Sequence, residues 1–181
     1  ATAELDLVMA DALREFGVMR PYIVRVPYTL ESRTGLASTT SANNLVDTSE
    51  GQFVSGDVSK VVYNTTQKTW AIITSYASTS SIGLSKNIFS KNDNYRIFNK
   101  ECTNNKQINI SDVQDYVDIV KAQYPLGTNR QVIRDVGNPD IIELDMVREP
   151  DDSKAFTSGV QPDTEALIYF AKRHKVSQLT D

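Results

Sequence analysis

Pairs of acidic residues are the first feature of this sequence that could do chemistry. A glycosidase needs two carboxylates set across a cleft, and spacing along the chain does not place these pairs in that way. Glu143 and Asp145 alternate with apolar residues, which is typical of the solvated face of a half-buried strand. We therefore predict no catalytic residue among the pairs, which are Asp112/Asp115, Asp115/Asp118, Glu143/Asp145 and Asp151/Asp152.

Metal and nucleophile sites are predicted to be absent as well. Asp112, Asp115 and Asp118 could offer oxygen ligands to calcium, but the EF-hand spacing and its glycine are missing. Cys102 and His174 are the only cysteine and histidine, whereas a zinc site takes about four ligands. The sequence contains no Gly-rich phosphate loop, Gly-x-Ser-x-Gly or HExxH pattern. We expect no metal, no cofactor and no enzymatic activity, and the lone cysteine suits synthesis in a reducing compartment.

The charge of the chain argues against a protein that coats nucleic acid. Its 181 residues carry a formal net charge of -4, whereas such proteins present a basic face to the phosphates. The one dense basic run, Lys172–Lys175, is interpreted as a solvated strand or terminus. No apolar run approaches 18 residues, so we expect no membrane span, and no signal peptide is visible.

One amphipathic helix is predicted over residues 3–16. Thr2 can cap its start, Glu4 and Asp6 lie in its first turn, and Gly17 is a natural C-terminal cap. A terminal helix with this much apolar surface must bury it against the chain's own β-core or against a neighbouring subunit, and the sequence leaves both open. The apolar stripe recurs at spacings of three and four residues, at Leu5, Val8, Met9, Ala12, Leu13 and Phe16.

The segment from Val58 to Phe98 alternates between short β-forming runs and polar breaks. The runs are Val58–Tyr63, Thr69–Tyr76, Ile82–Ser85 and Tyr95–Phe98. Strands separated by breaks of four to six residues are typical of an antiparallel meander or a small barrel. The sequence therefore predicts a mainly β protein, in which an N-terminal amphipathic helix is followed by small antiparallel β-barrel or sandwich units.

Three regions are predicted: a docking helix at 1–19, a first β unit at 20–100 and a second at 101–181. Pro21–Pro27 reads as an edge strand or arm, because proline cannot sit in a central ladder. The first unit includes a polar, flexible loop at 31–44, and the boundary falls in the polar connector 99–106 around Cys102.

The second unit contains two segments whose type is ambiguous. Tyr116–Tyr124 is assigned as a strand from its β-forming residues, with a helix as the alternative. Ala166–Ala171 is also assigned as a strand, with a helix beginning after Pro162 as the alternative. Between them, residues 132–146 predict a hairpin, and 149–163 a polar loop.

A composite pattern resembles one that recurs in virion proteins of tailed bacteriophages. In that pattern an Asn-x-Leu-(Val/Ile)-Asp lead precedes a Phe, an Asn-Thr-Thr turn, a Ser-x-x-Ile-Phe run and a closing Tyr-x-Ile. Gln123–Thr128 and Ile168–His174 resemble later parts of it, while Gly56-Asp57 and Ile82-Gly83-Leu84 depart from it locally. The matching residues are Asn44, Leu45, Val46, Asp47, Phe53, Val62, Tyr63, Asn64, Thr65, Thr66, Leu84, Ser85, Ile88, Phe89, Tyr95 and Ile97.

The resemblance implies a structural subunit of the virion neck, a head-to-tail connector (adaptor) made in the host cytoplasm. Its expected partners are further copies in a ring, the portal, and other neck or tail proteins. DNA would pass nearby without specific binding. The expected interface residues are the helix stripe together with the proline-bounded arm, namely Leu5, Val8, Met9, Ala12, Leu13, Phe16, Tyr22, Val24 and Val26.

Two alternatives from other classes stay open. A carbohydrate-binding or adhesin module would use Trp70, Tyr76 and the acids between Asp112 and Asp118 as its binding face. A small hydrolase would use a carboxylate pair such as Asp115 and Glu143 in a concave pocket.

Overall fold

A computed structural model describes residues 2–146 and 165–174 of the chain. It is mainly β, as predicted, with one N-terminal helix followed by antiparallel sheets. The elements are α1 (Thr2–Met19), β1 (Tyr22–Thr29), β2 (Thr34–Leu36), β3 (Asn44–Val46), a 3-10 turn (Ser55–Asp57), β4 (Val61–Asn64), β5 (Thr69–Ser78), β6 (Ser81–Leu84), β7 (Asn94–Phe98), β8 (Gln107–Asn109), β9 (Tyr116–Gln123), β10 (Asn129–Arg130), β11 (Val132–Arg134), β12 (Ile141–Leu144) and β13 (Glu165–Lys172).

Six strands form the first unit, in the order β2-β7-β4-β5-β6-β3. The sheet curls until its two edge strands approach each other, and the Ser38 N–H just after β2 donates to the Val46 carbonyl of β3 at 2.7 Å. Alternate residues of every strand point into the enclosed space, as strand geometry requires. The core they form contains Leu45, Phe53, Val62, Ala71, Ile73, Ile82, Tyr95 and Ile97, all at most 1% exposed.

The second unit consists of a four-stranded sheet, β1-β13-β9-β10, and a three-stranded sheet, β11-β12-β8. Apolar side chains from both sheets share one core, to which Leu30 is added from the segment after β1. The best-buried members of this core are Leu30, Ile108, Ile110, Ala122, Ile142, Leu144, Ala166, Ile168 and Phe170. The first unit is therefore inserted into the second, between β1 and β8.

This insertion corrects the predicted boundaries. We assigned residues 20–100 to the first unit, but β1 pairs along its whole length with β13, from Tyr22↔Lys172 to Thr29↔Glu165. The reason is long-range pairing, which leaves no local mark in a sequence. The loop predicted at 31–44 contains the strand β2 and the fully buried Ala37.

The chain crosses between the units twice, and the two crossings lie side by side. Thr29 ends β1, and its carbonyl accepts a hydrogen bond from the Asn99 side-chain amide at 3.0 Å. Behind this contact, Phe98, Cys102 and Ile141 form a third buried cluster against Val61 and Tyr63. The connector around Cys102 is thus a packed part of the junction.

Four charged side chains reinforce the first crossing. Arg33 binds both Glu31 and Asp57, and Lys60 binds the same two carboxylates at 2.7 Å and 3.1 Å. Asp57 is fully buried and Glu31 nearly so. Burial alone would raise the pKa of each carboxyl, but hydrogen bonds from Arg33 and the charges of Arg33 and Lys60 outweigh it, so both pKa values lie below the ordinary range.

Among the other local predictions, the assignments of strands are confirmed and two element boundaries are wrong. Tyr116–Gln123 and Glu165–Lys172 are strands, which decides against both helix alternatives, and β11 and β12 form the predicted hairpin. Gly17 does not end the helix, which continues to Met19. The strand predicted from Val58 begins at Val61, because the Asp57 carboxylate accepts the Val54 N–H and holds a 3-10 turn there. The predicted loop 149–163 and Asp151/Asp152 lie outside the described residues.

Candidate interaction surfaces

Helix α1 presents its apolar stripe to solvent. Among the side chains described in residues 4–19, only Gly17 is buried, with Ala10 and Leu13 half-buried. Large side chains of the stripe are exposed, with Leu5 at 60%, Val8 at 65%, Met9 at 44% and Phe16 at 49%, and Ala12 is also exposed. The described part of the β-core therefore does not cover the predicted docking face.

One end of the helix is attached to the four-stranded sheet. Gly17 lies so close to the end of β13 that an added Cβ would be 3.0 Å from the His174 backbone nitrogen. The His174 ring lies 5.8 Å from the Phe16 ring and 5.3 Å from the Tyr22 ring. Its Nε2 is also 3.2 Å from the Arg20 carbonyl oxygen. His174, interpreted from sequence as part of a solvated run, is thus the anchor of α1.

The predicted arm is strand β1, and only part of it is free. It is an edge strand, as its prolines predicted, with β13 on one side. Val24 and Val26 are half-buried, and Val26 packs on the core of the second unit. Tyr22 stays 39% exposed beside His174. Of the predicted interface residues in this arm, Tyr22 is therefore the most accessible.

An apolar groove of about 620 Å³ lies on the outer face of the first unit, beside the connector. Its floor comes from side chains of β4, β5 and β7 that point away from the barrel core, together with Cys102. Trp70 and Ile72 are 49% and 41% exposed. The lining residues are Ser59, Val61, Tyr63, Trp70, Ile72, Phe98, Lys100, Glu101, Cys102 and Thr103.

Three charged side chains, Lys86, Lys100 and Glu101, lie at or beside this groove. The Lys86 ammonium lies 4.6 Å from the centre of the Trp70 ring, a cation–π contact. Lys100 and Glu101 pair at 3.7 Å on the connector side. Burial, with a smaller contribution from the Glu101 carboxylate, raises the pKa of the Cys102 thiol to about 12. A thiol that stays protonated at neutral pH behaves as a small apolar side chain.

Asp112, Asp118 and Glu143, which were considered as catalytic or metal-binding residues, each form a separate contact with another side chain. Asp112 accepts the Tyr28 hydroxyl at 2.7 Å, and burial followed by this hydrogen bond raises the pKa of Tyr28. Asp118 pairs with Arg134 at 3.4 Å, and Glu143 accepts the Asn104 amide at 3.0 Å. Within residues 2–146 and 165–174, no three His, Cys, Asp or Glu side chains are placed to hold a metal ion.

The two aromatic residues of the carbohydrate alternative lie on one strand, away from its acids. Trp70 and Tyr76 are both on β5 and both partly exposed. Asp112–Asp118 precede or begin β9 in the second unit. The structure therefore does not combine these residues into one binding face, although Trp70 lines the groove.

Sequence reasoning missed the groove, and the signal for it was the absence of alternation. Val61-Val62-Tyr63 and Trp70-Ala71-Ile72-Ile73 are continuous apolar runs, so both faces of these strands are hydrophobic. A strand apolar on both faces either lies between two layers or leaves one face for a partner. Here the even positions of β4 enter the barrel core, and the odd positions line the groove.

Comparisons with protein-family models, curated proteins and solved structures give no match to this chain. Among the described helices, none is both long and apolar enough to span a lipid bilayer.

Proposed function

We propose that this protein is a structural subunit that works by assembly, as a head-to-tail connector ring protein in the virion of a tailed bacteriophage. The observation that carries the proposal is helix α1, which projects its apolar stripe from an otherwise well-packed β body. Most of the stability of an amphipathic helix in a protein comes from packing of its apolar face, so we expect another surface to cover the stripe of this 18-residue helix.

Covering that stripe with another surface would favour association. Full burial of one Leu, Val, Met or Phe side chain is worth about 1.5–3 kcal/mol. Four large side chains of the stripe are between 44% and 65% exposed, so a subunit or portal surface that covers them removes substantial apolar area from water. The packed β units form the body from which the helix projects.

The phage-like pattern supports the virion part of the proposal, because its residues hold the barrel together. Asp47 is fully buried, accepts the Ser49 and Glu50 N–H groups, and accepts the Tyr95 hydroxyl at 2.7 Å. Asn64 is equally buried, caps the turn at Thr66 and donates to Asp93 at 2.8 Å. These buried residues have a structural role in the barrel, and such a role is what we would expect of a pattern shared by structural virion proteins.

Light scattering and electron microscopy of the purified full-length chain test this proposal. We expect a concentration-dependent oligomer that images as a closed ring with a central channel. Replacing Leu5, Val8 and Met9 together with serine removes most of the exposed stripe without touching the Phe16 contact with His174, and should leave a folded monomer. A wild-type chain that stays monomeric throughout the accessible concentration range would overturn self-assembly, and an open aggregate without a channel would overturn the ring.

The exposure of Trp70 favours one second candidate, a carbohydrate-binding or adhesin-like module. An indole that is half-exposed in a groove can stack on the apolar face of a sugar ring. Titration with a panel of oligosaccharides, followed by Trp70 fluorescence, tests this candidate. A saturable change would favour it, and an unchanged emission across the panel would reject it.

A further inference from the structure

Helix α1 and the apolar groove complement each other, and we propose that α1 of one copy docks in the groove of a second copy. The contact joins two different surfaces, so it is head-to-tail and generates a ring when the rotation closes. This inference rests on the proposed assembly function and specifies which surface of the neighbouring copy binds the helix.

The two surfaces match in polarity and scale. The groove offers an apolar floor that includes Val61, Tyr63, Trp70 and Ile72, in a volume of about 620 Å³. The helix offers an apolar stripe, the face that helix-in-groove recognition uses at spacings of three and four residues. Leu5 and Val8 are the most exposed large residues of this stripe and, at a spacing of three, can enter the groove together.

Their charges are also complementary. Helix α1 carries Glu4, Asp6, Asp11 and Glu15 against the single cation Arg14, and Arg14 pairs with Asp11. At 100° per residue, Glu4, Asp11 and Glu15 follow one flank of the apolar stripe. The groove has Lys86 over its indole and Lys100 at its rim, with Glu101 the acidic residue that lines it. Because Lys100 is paired with Glu101, Lys86 is the cation beside the groove that an acidic flank of the helix would meet.

The geometry of the chain favours a second copy over the chain's own groove. His174 holds the C-terminal end of α1 at the Tyr22 end of β1. The groove lies at the junction, next to Asn99, which contacts the opposite end of β1 at Thr29. The eight residues of β1 span about 26 Å at roughly 3.3 Å per residue. The anchored end of the helix and the groove therefore lie at opposite ends of β1, and the exposed stripe shows that α1 does not occupy the groove of its own chain.

The chain contains its own reporter for this contact. Trp70 is the only tryptophan, it lines the groove, and half of its surface is exposed. When the concentration of the full-length chain rises, we expect the mass from light scattering and a blue shift of Trp70 emission to follow the same curve. Both should respond together because docking of the helix removes the indole from water.

A matched pair of helix variants tests the stripe. Leu5 and Leu7 have nearly equal exposure, 60% and 64%, but lie on opposite sides of α1. Leu5→Asp should raise the concentration needed for assembly at least about tenfold and abolish the blue shift. Leu7→Asp places the same charge on the same helix and should assemble like the wild type.

A second pair tests the groove. Ile72→Asp should prevent assembly, whereas Ile133→Asp, at a similarly exposed strand position outside the groove, should not. Ile72→Thr keeps the β-branched shape and should weaken assembly several-fold with an unchanged unfolding midpoint. The decisive step is to mix Leu5→Asp with Ile72→Asp. One variant retains an intact groove and the other an intact helix, so the mixture should form a 1:1 dimer and nothing larger.

The outcomes separate this inference from the proposed function. If Ile72→Asp and Ile72→Thr both assemble as well as the wild type, docking in the groove is wrong but assembly stands. The same conclusion follows if the wild type assembles while its Trp70 emission stays constant. A mixture of the two aspartate variants that remains monomeric also overturns docking in the groove. A wild-type chain that never assembles overturns both.

Discussion

The carboxylate of Asp57 is the best-buried member of the ion cluster at the junction, and it contacts two cations and one backbone N–H. Removing its charge leaves Arg33 largely buried with one anionic partner fewer. We expect Asp57→Asn to lower the free energy of unfolding by about 3–5 kcal/mol, measured by urea denaturation. The control is Asp11→Asn, which removes an exposed pair with Arg14 and should cost at most about 1 kcal/mol. Equal effects of the two variants would contradict the role assigned to the cluster.

The same cluster predicts a loss of stability in acid. The pKa values of Glu31 and Asp57 are lowered in the folded state from ordinary values of about 4.3 and 3.9. Their contribution is therefore complete above the ordinary values and is lost as the pH falls through the lower folded-state values. The free-energy difference between wild type and Asp57→Asn should stay constant from pH 7 to about 5 and shrink below about pH 4. Urea unfolding of both proteins across this range measures it, and a difference that persists in acid would refute the linkage.

At the scale of elements, β2 depends on the absence of a side chain at Gly35. An added Cβ would approach the Asp47 carboxylate and the Tyr95 hydroxyl to less than 3.0 Å, inside the hydrogen bond that links them. We expect Gly35→Ala to destabilise the protein by about 1–3 kcal/mol through overpacking. Gly56→Ala is the control, because a Cβ there meets nothing within 4 Å. Thermal unfolding followed by near-ultraviolet circular dichroism compares the two, and a stable Gly35→Ala would mean that β2 can move away.

The elements were predictable where a local pattern decides them. β5, β6 and β7 follow from alternation between polar breaks, and β9 and β13 follow from their β-forming residues. The end of α1 was not predictable, because Gly17 packs on Arg173 and His174, just after β13, instead of capping the helix. The pairing of β1 with β13 escaped prediction because its partner lies far away in sequence.

The candidate surfaces were likewise predictable only where a local sequence pattern marks them. The helix stripe was visible in the sequence, since its periodicity is local. The ion cluster was not, because Glu31 and Arg33 come from a segment that reads as a polar loop, and their partners belong to another part of the chain. The groove required knowledge of which face of β4 and β5 enters the barrel.

At the scale of the whole molecule, the two cores are joined by the buried cluster of Phe98, Cys102 and Ile141 and by the ion cluster. We expect calorimetry of a variant kept monomeric, such as Leu5→Asp, to show one transition with equal calorimetric and van't Hoff enthalpies. Ile141→Ala should cost about 2–5 kcal/mol and lower that transition as a whole. Two resolved transitions would instead show that the units unfold independently.

The insertion of the barrel between β1 and β8 has a consequence for the order in which the protein can form. During synthesis the barrel has all its strands once Phe98 is available, and the core inside it contains no later residue. Strand β1, made before the barrel, must wait for β13, which is made after it, and keeps an unpaired edge until then. The helix attached to β1 therefore reaches its anchor at His174 only when the second unit closes. A nascent chain would thus hold α1 in a fixed position only after both units have folded, and under the proposed assembly this would delay docking of the helix until then.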